Sequence, residues 1–234
     1  IIPEQLANQE LSWEKTSQFN IGVDAALLNN RLAFAVNYYY KYTKDGLLTE
    51  VLPGTTGFDE YPNNSAEISN KGFELTLNSV NIQKENFSWS SSLNVARNVN
   101  TIEKLTKPMN FGSRDLILFQ EGSPMYSFWV YNQLYVDPAT GDAVYEDVNG
   151  DGQITTDDRQ ILGSIWPDYF GGLANNFTYK NSDLQTFFTF SVGNEVYNHN
   201  RFFGEAGGAR DAARIIFASN LDRWQQSGDL TDVP

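Results

Sequence analysis

Apolar residues recur at every second position along most of this chain. The pattern is clear in Phe19-Asn-Ile21-Gly-Val23-Asp-Ala25-Ala-Leu27 and again in Leu32-Ala-Phe34-Ala-Val36-Asn-Tyr38-Tyr-Tyr40-Lys-Tyr42. It continues through Phe73-Glu-Leu75-Thr-Leu77, Phe87-Ser-Trp89 to Leu93-Asn-Val95, Leu173 to Tyr179, and Leu184 to Val192. Successive side chains of a strand point to opposite faces, so each segment carries one greasy and one polar face. Six strands are predicted, at 16–28, 31–44, 69–81, 87–101, 169–180 and 184–193. Helical spacing is confined to 209–226, where Ala212, Ile215, Ile216, Leu221 and Trp224 share one face.

The connections fall into two sizes. Asn29-Asn30, Ile82–Asn86 and Lys180–Asp183 are short, and Asn and Asp tolerate the left-handed backbone of a tight hairpin. The stretches 45–68, 102–125 and 137–168 are long, beyond the ~12–15 residues usual for loops in compact domains. Alternating short turns and long loops is the layout of an outer-membrane barrel. Strand parity then brings residues 101 and 169 to the same side. The whole of 102–168 becomes an external excursion, with Met125–Val136 and Ala143–Glu146 forming a hairpin around Asp137-Pro-Ala-Thr-Gly-Asp142.

Composition sharpens this picture. The polar faces are mostly uncharged, as in Ser88, Ser90, Ser92, Asn94 and Asn98, whereas a soluble sandwich carries more Lys and Glu on its solvent face. Charged residues make up 19% of the 234, against about 25% in average globular chains. Aromatics reach 14%, and Tyr38, Tyr40, Tyr42, Phe87, Trp89, Phe177 and Tyr179 lie near strand ends, where interfacial girdles form. There are 29 Asp plus Glu against 16 Lys plus Arg, a net charge of −13. This sign excludes a nucleic-acid partner. The absence of Cys excludes disulfides and thiolate metal sites. No segment approaches the roughly 18 apolar residues of a spanning helix, which leaves membrane strands of about 9–11 residues open. Residue 1 is Ile and no leader pattern follows it, so the chain reads as a piece of something longer or as a processed product.

One local motif carries specific chemistry. Asp147-Val-Asn149-Gly-Asp151-Gly-Gln153-Ile-Thr155-Thr-Asp-Asp158 matches the oxygen-ligand spacing of an EF-hand loop. Asp147, Asn149 and Asp151 supply side-chain oxygens, Gln153 its carbonyl, and Asp158 the closing carboxylate, with Thr155 direct or through water. Calcium, a hard cation needing six to eight oxygens, is the expected ligand. The closing residue is Asp rather than the longer Glu, and a strand precedes the loop, so bracing is expected rather than sensing. The alternative is an ion-free Asx-rich loop. Catalytic patterns are not evident: His199 is the sole His and has no nucleophilic Ser or Cys beside it. No enzymatic function is expected.

Asn70-Lys-Gly72-Phe73-Glu74-Leu, Phe87-Ser-Trp89 with Asn94 and Asn98, Trp13-Glu-Lys-Thr16 with Asn20-Ile-Gly22-Val-Asp24, and Tyr145 through Arg159 with Ile161-Leu-Gly163, Pro167 and Gly171-Gly172 together resemble the barrel of SusC/RagA-type TonB-dependent transporters. The resemblance covers essentially the whole chain. It implies an all-β fold, an antiparallel transmembrane β-barrel segment forming part of a 22-stranded barrel with long extracellular loops. Residues 1–234 would be partial barrel, with the plug, the TonB-contacting segment and the last strands outside them. It further implies an outer-membrane importer of glycans or peptides, energised by TonB, surrounded by membrane lipid and capped by a SusD-like surface lipoprotein. The long loops would contact cargo and lipoprotein, and Trp129, Tyr131, Tyr135, Trp166 and Tyr169 are the candidates for stacking on cargo or packing the loops. The alternatives are a soluble secreted β-sandwich binding module braced by calcium, and, least favoured, an acidic β-rich hydrolase.

Overall fold

The computed structural model describes residues 6–58, 60–205 and 217–234. Two compact units divide the chain: residues 1–127 with 164–195, and residues 128–163 with 196–234. In the first unit, β1 (Lys15–Leu27), β2 (Leu32–Val51), β3 (Glu60–Lys84) and β4 (Phe87–Leu105) form a continuous antiparallel meander. Two short strands follow β4, namely β5 (Met109–Phe111) and β6 (Ile117–Phe119). The second unit holds β7 (Ser127–Val130), β8 (Gln133–Val136), β9 (Ala143–Tyr145) and β10 (Gln160–Ser164), the first and last of which begin or end in the first unit. The chain then returns to the large sheet through β11 (Tyr169–Tyr179) and β12 (Ser182–Val192), giving the order β1-β2-β3-β4-β11-β12.

The register shows why alternation dictates this sheet. Ala25, Phe34, Leu77, Leu93, Leu173 and Phe188 stand side by side in one row across all six strands. Val23, Val36, Leu75, Val95, Gly171 and Phe190 make the next row on the same face. The row between them on the other face reads Asp24, Ala35, Thr76, Asn94, Gly172 and Thr189. The greasy face lies open: Ile21 is 58% and Phe188 62% exposed. No second sheet covers it among the described residues. A sandwich buries its apolar rows between two sheets.

The apolar face has ends. Toward the long connections, the rows reach Arg97 and then Lys71, with the Arg97 guanidinium 5.4 Å above the Tyr169 ring. Toward the short turns, Trp89 stacks on Phe177 at 5.6 Å. Between Trp89 and Leu93 this face admits polar groups, and they satisfy one another. The Trp89 Nε1–H and the Ser91 hydroxyl both donate to Asn175 Oδ1, at 3.1 and 2.6 Å, and Asn81 Nδ2 donates to Ser91 Oγ at 2.7 Å. A self-contained network is what an apolar surrounding requires of polar groups.

The expectation of a loop at 45–68 is corrected by the structure. Strands β2 and β3 run on to Val51 and back from Glu60, so only a short connection remains there. β3 has 25 residues, more than twice the ~9–11 that cross a bilayer. The buried core sits at this overshooting end: Ala66, Ile102, Leu105, Met109 and Phe119 pack together with Leu48, Ile68, Phe111, Ile117 and Met125 around them. Hairpin β5–β6 closes over the ends of β3 and β4 to make it. Since β4 and β11 are antiparallel neighbours, segment 106–168 leaves and rejoins the sheet at this same end.

In the second unit, β8 and β9 pair as the predicted hairpin, though only over Gln133–Val136 and Ala143–Tyr145. Trp224 caps its turn: the indole N–H donates to Pro138 O at 3.0 Å, and the ring lies where Gly141 would carry a Cβ. Of the helix expected at 209–226, residues 209–216 lie outside the described residues. The described remainder is a short 3-10 turn at Ala218–Asp222 followed by irregular chain, so Leu221 and Trp224 do not share a helical face.

Ile102 is 1% exposed at the centre of the rim core. Ile102→Ala should therefore cost about 2–5 kcal/mol there, read as faster amide hydrogen exchange in β5, β6 and the end of β4, with the lower part of β4 unchanged. Uniform loss of protection along β4 would contradict a separate rim core.

Candidate functional site

The EF-hand-like loop is shaped by its own carboxylates. Asp147 Oδ1 accepts the amides of Gly150 and Asp151 at 2.7 and 3.2 Å, and Oδ2 accepts that of Gly152 at 2.8 Å. Asn149 Oδ1 accepts the Asp151 amide and Asp151 Oδ1 that of Gln153, at 2.9 and 2.8 Å. These are nested Asx turns, and Gly150 and Gly152 supply the positive φ of 74° and 80° that the tight winding needs.

Asp158 stands apart from the other acids. It is completely buried, and its oxygens accept the Val148 and Thr155 amides at 3.0 and 2.7 Å. With Thr155 it forms a capping box on the 3-10 turn Thr156–Asp158. Hydrogen bonding from the Thr155 amide holds its carboxyl below the ordinary value of 3.8, outweighing the opposing effect of burial. Among the described residues no three acidic or His side chains converge as a metal group. Asp147, Asn149, Asp151 and the Gln153 carbonyl thus stand as one oxygen-rich turn, while Asp158 ties the end of the loop to its start. A carboxylate retains lone pairs after accepting three amide bonds, so the turn keeps donors for a hard cation.

The five aromatics singled out by sequence are not brought together. Trp129 and Tyr131 flank Arg159, whose guanidinium lies 5.1 Å from each ring; they pack the loop that follows the Asx turns. Tyr135 is 54% exposed on β8. Tyr169 belongs to the apolar face beside Phe73 and Arg97, because it shares parity with Gly171 and Leu173. Trp166 alone reaches the polar face of the large sheet, anchored by its indole N–H on Met125 O at 2.8 Å.

Around Trp166 the polar face holds a cavity of about 640 Å³, lined by Tyr39, Lys41, Asn70, Asn98, Pro167, Phe170 and Ser191. Its floor is a hydrogen-bonded row. Tyr39 lies opposite Gly72 and Gly72 opposite Asn98, and a Cβ at Gly72 would meet the Tyr39 hydroxyl at 2.7 Å and its ring carbon Cζ at 2.8 Å. The ring therefore crosses β3 over the glycine, and its hydroxyl donates to Asn98 Oδ1 at 2.8 Å. Asn98 and Asn100 in turn both donate to Asn70 Oδ1, at 3.1 and 3.0 Å. Tyr39, Lys41, Asn70 and Phe170 were not among the predicted site residues. Strand parity already placed them on the polar face, but only the register reveals that they meet across three strands.

The family model described as TonB dependent receptor-like, beta-barrel, matches residues 3–115. TonB-dependent receptor P3 of Formosa agariphila is 33% identical over 258 aligned residues, covering 100% of this chain and 25% of that protein. TonB-dependent receptor SusC of Bacteroides thetaiotaomicron is 30% identical over 205, covering 81% and 20%. The solved structure of the RagAB peptide transporter superposes with a TM-score of 0.85 at 29% identity, over 98% of this chain and 26% of that one. The chain thus spans about a quarter of the length of the curated relatives it matches.

Loop stability should follow the Asp158 carboxylate. A depressed pKa stabilises the fold above 3.8 and is lost as pH falls through the lowered value. Protection of the Val148 and Thr155 amides, corrected for intrinsic exchange, should hold above pH 3.8 and decline below it. Asp158→Asn should remove that dependence. Constant protection into strong acid would contradict it.

Proposed function

The chain belongs to the SusC/RagA-type family of TonB-dependent outer-membrane transporters, and from this we propose that it builds part of the wall and outer rim of a nutrient importer. The observation that carries the reading is the sorting of the six-stranded sheet. One face is a predominantly apolar surface bounded by Arg97 and Lys71, and the other is polar and mostly uncharged. The apolar face suits lipid and the polar face a water-filled lumen. Segment 106–168 would then lie outside the cell, with the overshooting ends of β2 and β3 standing above the bilayer.

Oligosaccharide or peptide is the proposed cargo, imported with energy from TonB through a plug, under a SusD-like surface lipoprotein as lid. The relatives' names support the class of machine, and the long-connection end of the sheet supplies the rim on which a lid would rest. The full-length transporter, tagged and extracted in mild detergent, should copurify with such a lipoprotein, and deleting the gene should abolish growth on the cargo the pair binds. Purification without a partner, together with unchanged growth on peptide and glycan sources, would overturn the reading.

We further propose calcium for the turn at 147–153, held by Asp147, Asn149, Asp151 and the Gln153 carbonyl, with Asp158 bracing the loop. Calcium would neutralise two carboxylates drawn close by the Asx turns. Chelation should lower the melting temperature of the full-length protein and loosen 147–158, and Asp147→Ala should remove the response to added calcium. An identical melting profile with calcium and with chelator would count against it.

A further inference from the structure

The cavity on the polar face has an uneven stock of hydrogen-bonding groups. Most of its polar side chains are already bonded within the wall. Asn70 Oδ1 takes two amide donors and Asn98 Oδ1 takes the Tyr39 hydroxyl. The Ser191 hydroxyl donates to Asn194 Oδ1 at 2.8 Å, and the Trp166 indole N–H is committed to Met125 O. Two donor groups remain. The Asn70 side-chain NH₂ makes no hydrogen bond to a described residue, since its orientation is set by the two bonds its oxygen accepts. The Lys41 ammonium, directly across the ladder from Asn70, has no carboxylate within ion-pairing distance among the described residues.

An ammonium and a primary amide side by side, neither bonded to an acceptor among the described residues, complement a ligand that brings acceptors and negative charge. Trp166, Pro167 and Phe170 line the same cavity and suit an apolar or ring-shaped group attached to that charge. We infer that this cavity is a cargo subsite for a carboxylate carried on an apolar or ring-shaped unit, with Lys41 and Asn70 holding the carboxylate and Trp166 and Phe170 covering its neighbour. The inference rests on the transport reading and adds to it the chemistry of one subsite. A peptide with a free carboxylate and an oligosaccharide bearing a uronate share this chemistry.

The full-length transporter with its lipoprotein supplies the test. Binding is measured by calorimetry for four probes: a tripeptide acid, the same tripeptide amidated, a uronate disaccharide, and its neutral hexose counterpart. One carboxylate-bearing probe should bind at least about tenfold more tightly than its uncharged counterpart, and which pair shows the difference identifies the source. Lys41→Met should weaken that probe about 10–100-fold, as expected for a charge-assisted hydrogen bond, and leave the uncharged one unchanged. Lys41→Arg should retain most of the affinity, and unaltered heat-modifiable migration of both variants shows an intact barrel. Equal binding of charged and uncharged probes, or indifference to Lys41→Met, overturns the subsite while leaving the transport reading intact. Failure of every probe to bind, with growth also independent of the gene, overturns both.

Discussion

Everything in the large sheet follows from one constraint: in hydrocarbon, a backbone N–H or C=O without a partner costs several kcal/mol. Strands meet it only by pairing, and pairing fixes a side-chain period of two. The sequence must therefore put a lipid-compatible residue at every second position of every strand, in register with its neighbours. The rows running from β1 to β12 satisfy this across six strands without interruption. Where a polar side chain falls on the greasy face, as at Ser91 and Asn175, it is bonded to another. The same rule explains the acid excess: carboxylates are pushed out of the apolar rows and collect beyond them, in the Asx turns and at the rim.

The polar face obeys a different economy. There, side chains can bond to water or to each other, and small residues leave room for large ones to lie flat. Gly72 is the hinge of that arrangement. Its missing side chain lets Tyr39 reach Asn98 across an intervening strand, and the resulting row fixes which way three Asn amides face. The uncharged groups of this part of the wall thus hold mutually imposed orientations, with Lys41 beside them.

The six strands were legible in the sequence because lipid and lumen impose opposite demands on alternate residues. Predicted and observed limits of β1 and β11 differ by only a residue or so. The same signal fails at 45–68 for a physical reason. Beyond Arg97 and Lys71 the two faces no longer meet different surroundings, so alternation lapses in Gly46-Leu47-Leu48 and Pro62-Asn63-Asn64 although pairing continues. Pro62 itself reads as a strand breaker, yet it sits where β3 has passed its last partner on β4 and has lost one neighbour. At the Asx loop, spacing revealed the turn but not the division of labour, because Asp158 is claimed by local backbone amides that spacing cannot show. Tyr169 shares the parity of Leu173 and so belongs with the apolar rows, while the reach of Tyr39 to Asn98 over Gly72 depends on a register that the sequence alone does not show.

The overshoot of β2 and β3 has a further consequence. A rim made of free loops would lose conformational freedom whenever another body settled on it, at roughly 1–2 kcal/mol per residue fixed. Here much of that ordering is already done at folding, by a paired ladder and a small packed core around Ile102 and Phe119. A body that closed over this edge would meet a preorganised ledge, and the wall would not have to melt and refreeze with each closure. The mobility of such a closure would then reside in the body that moves rather than in the edge that receives it.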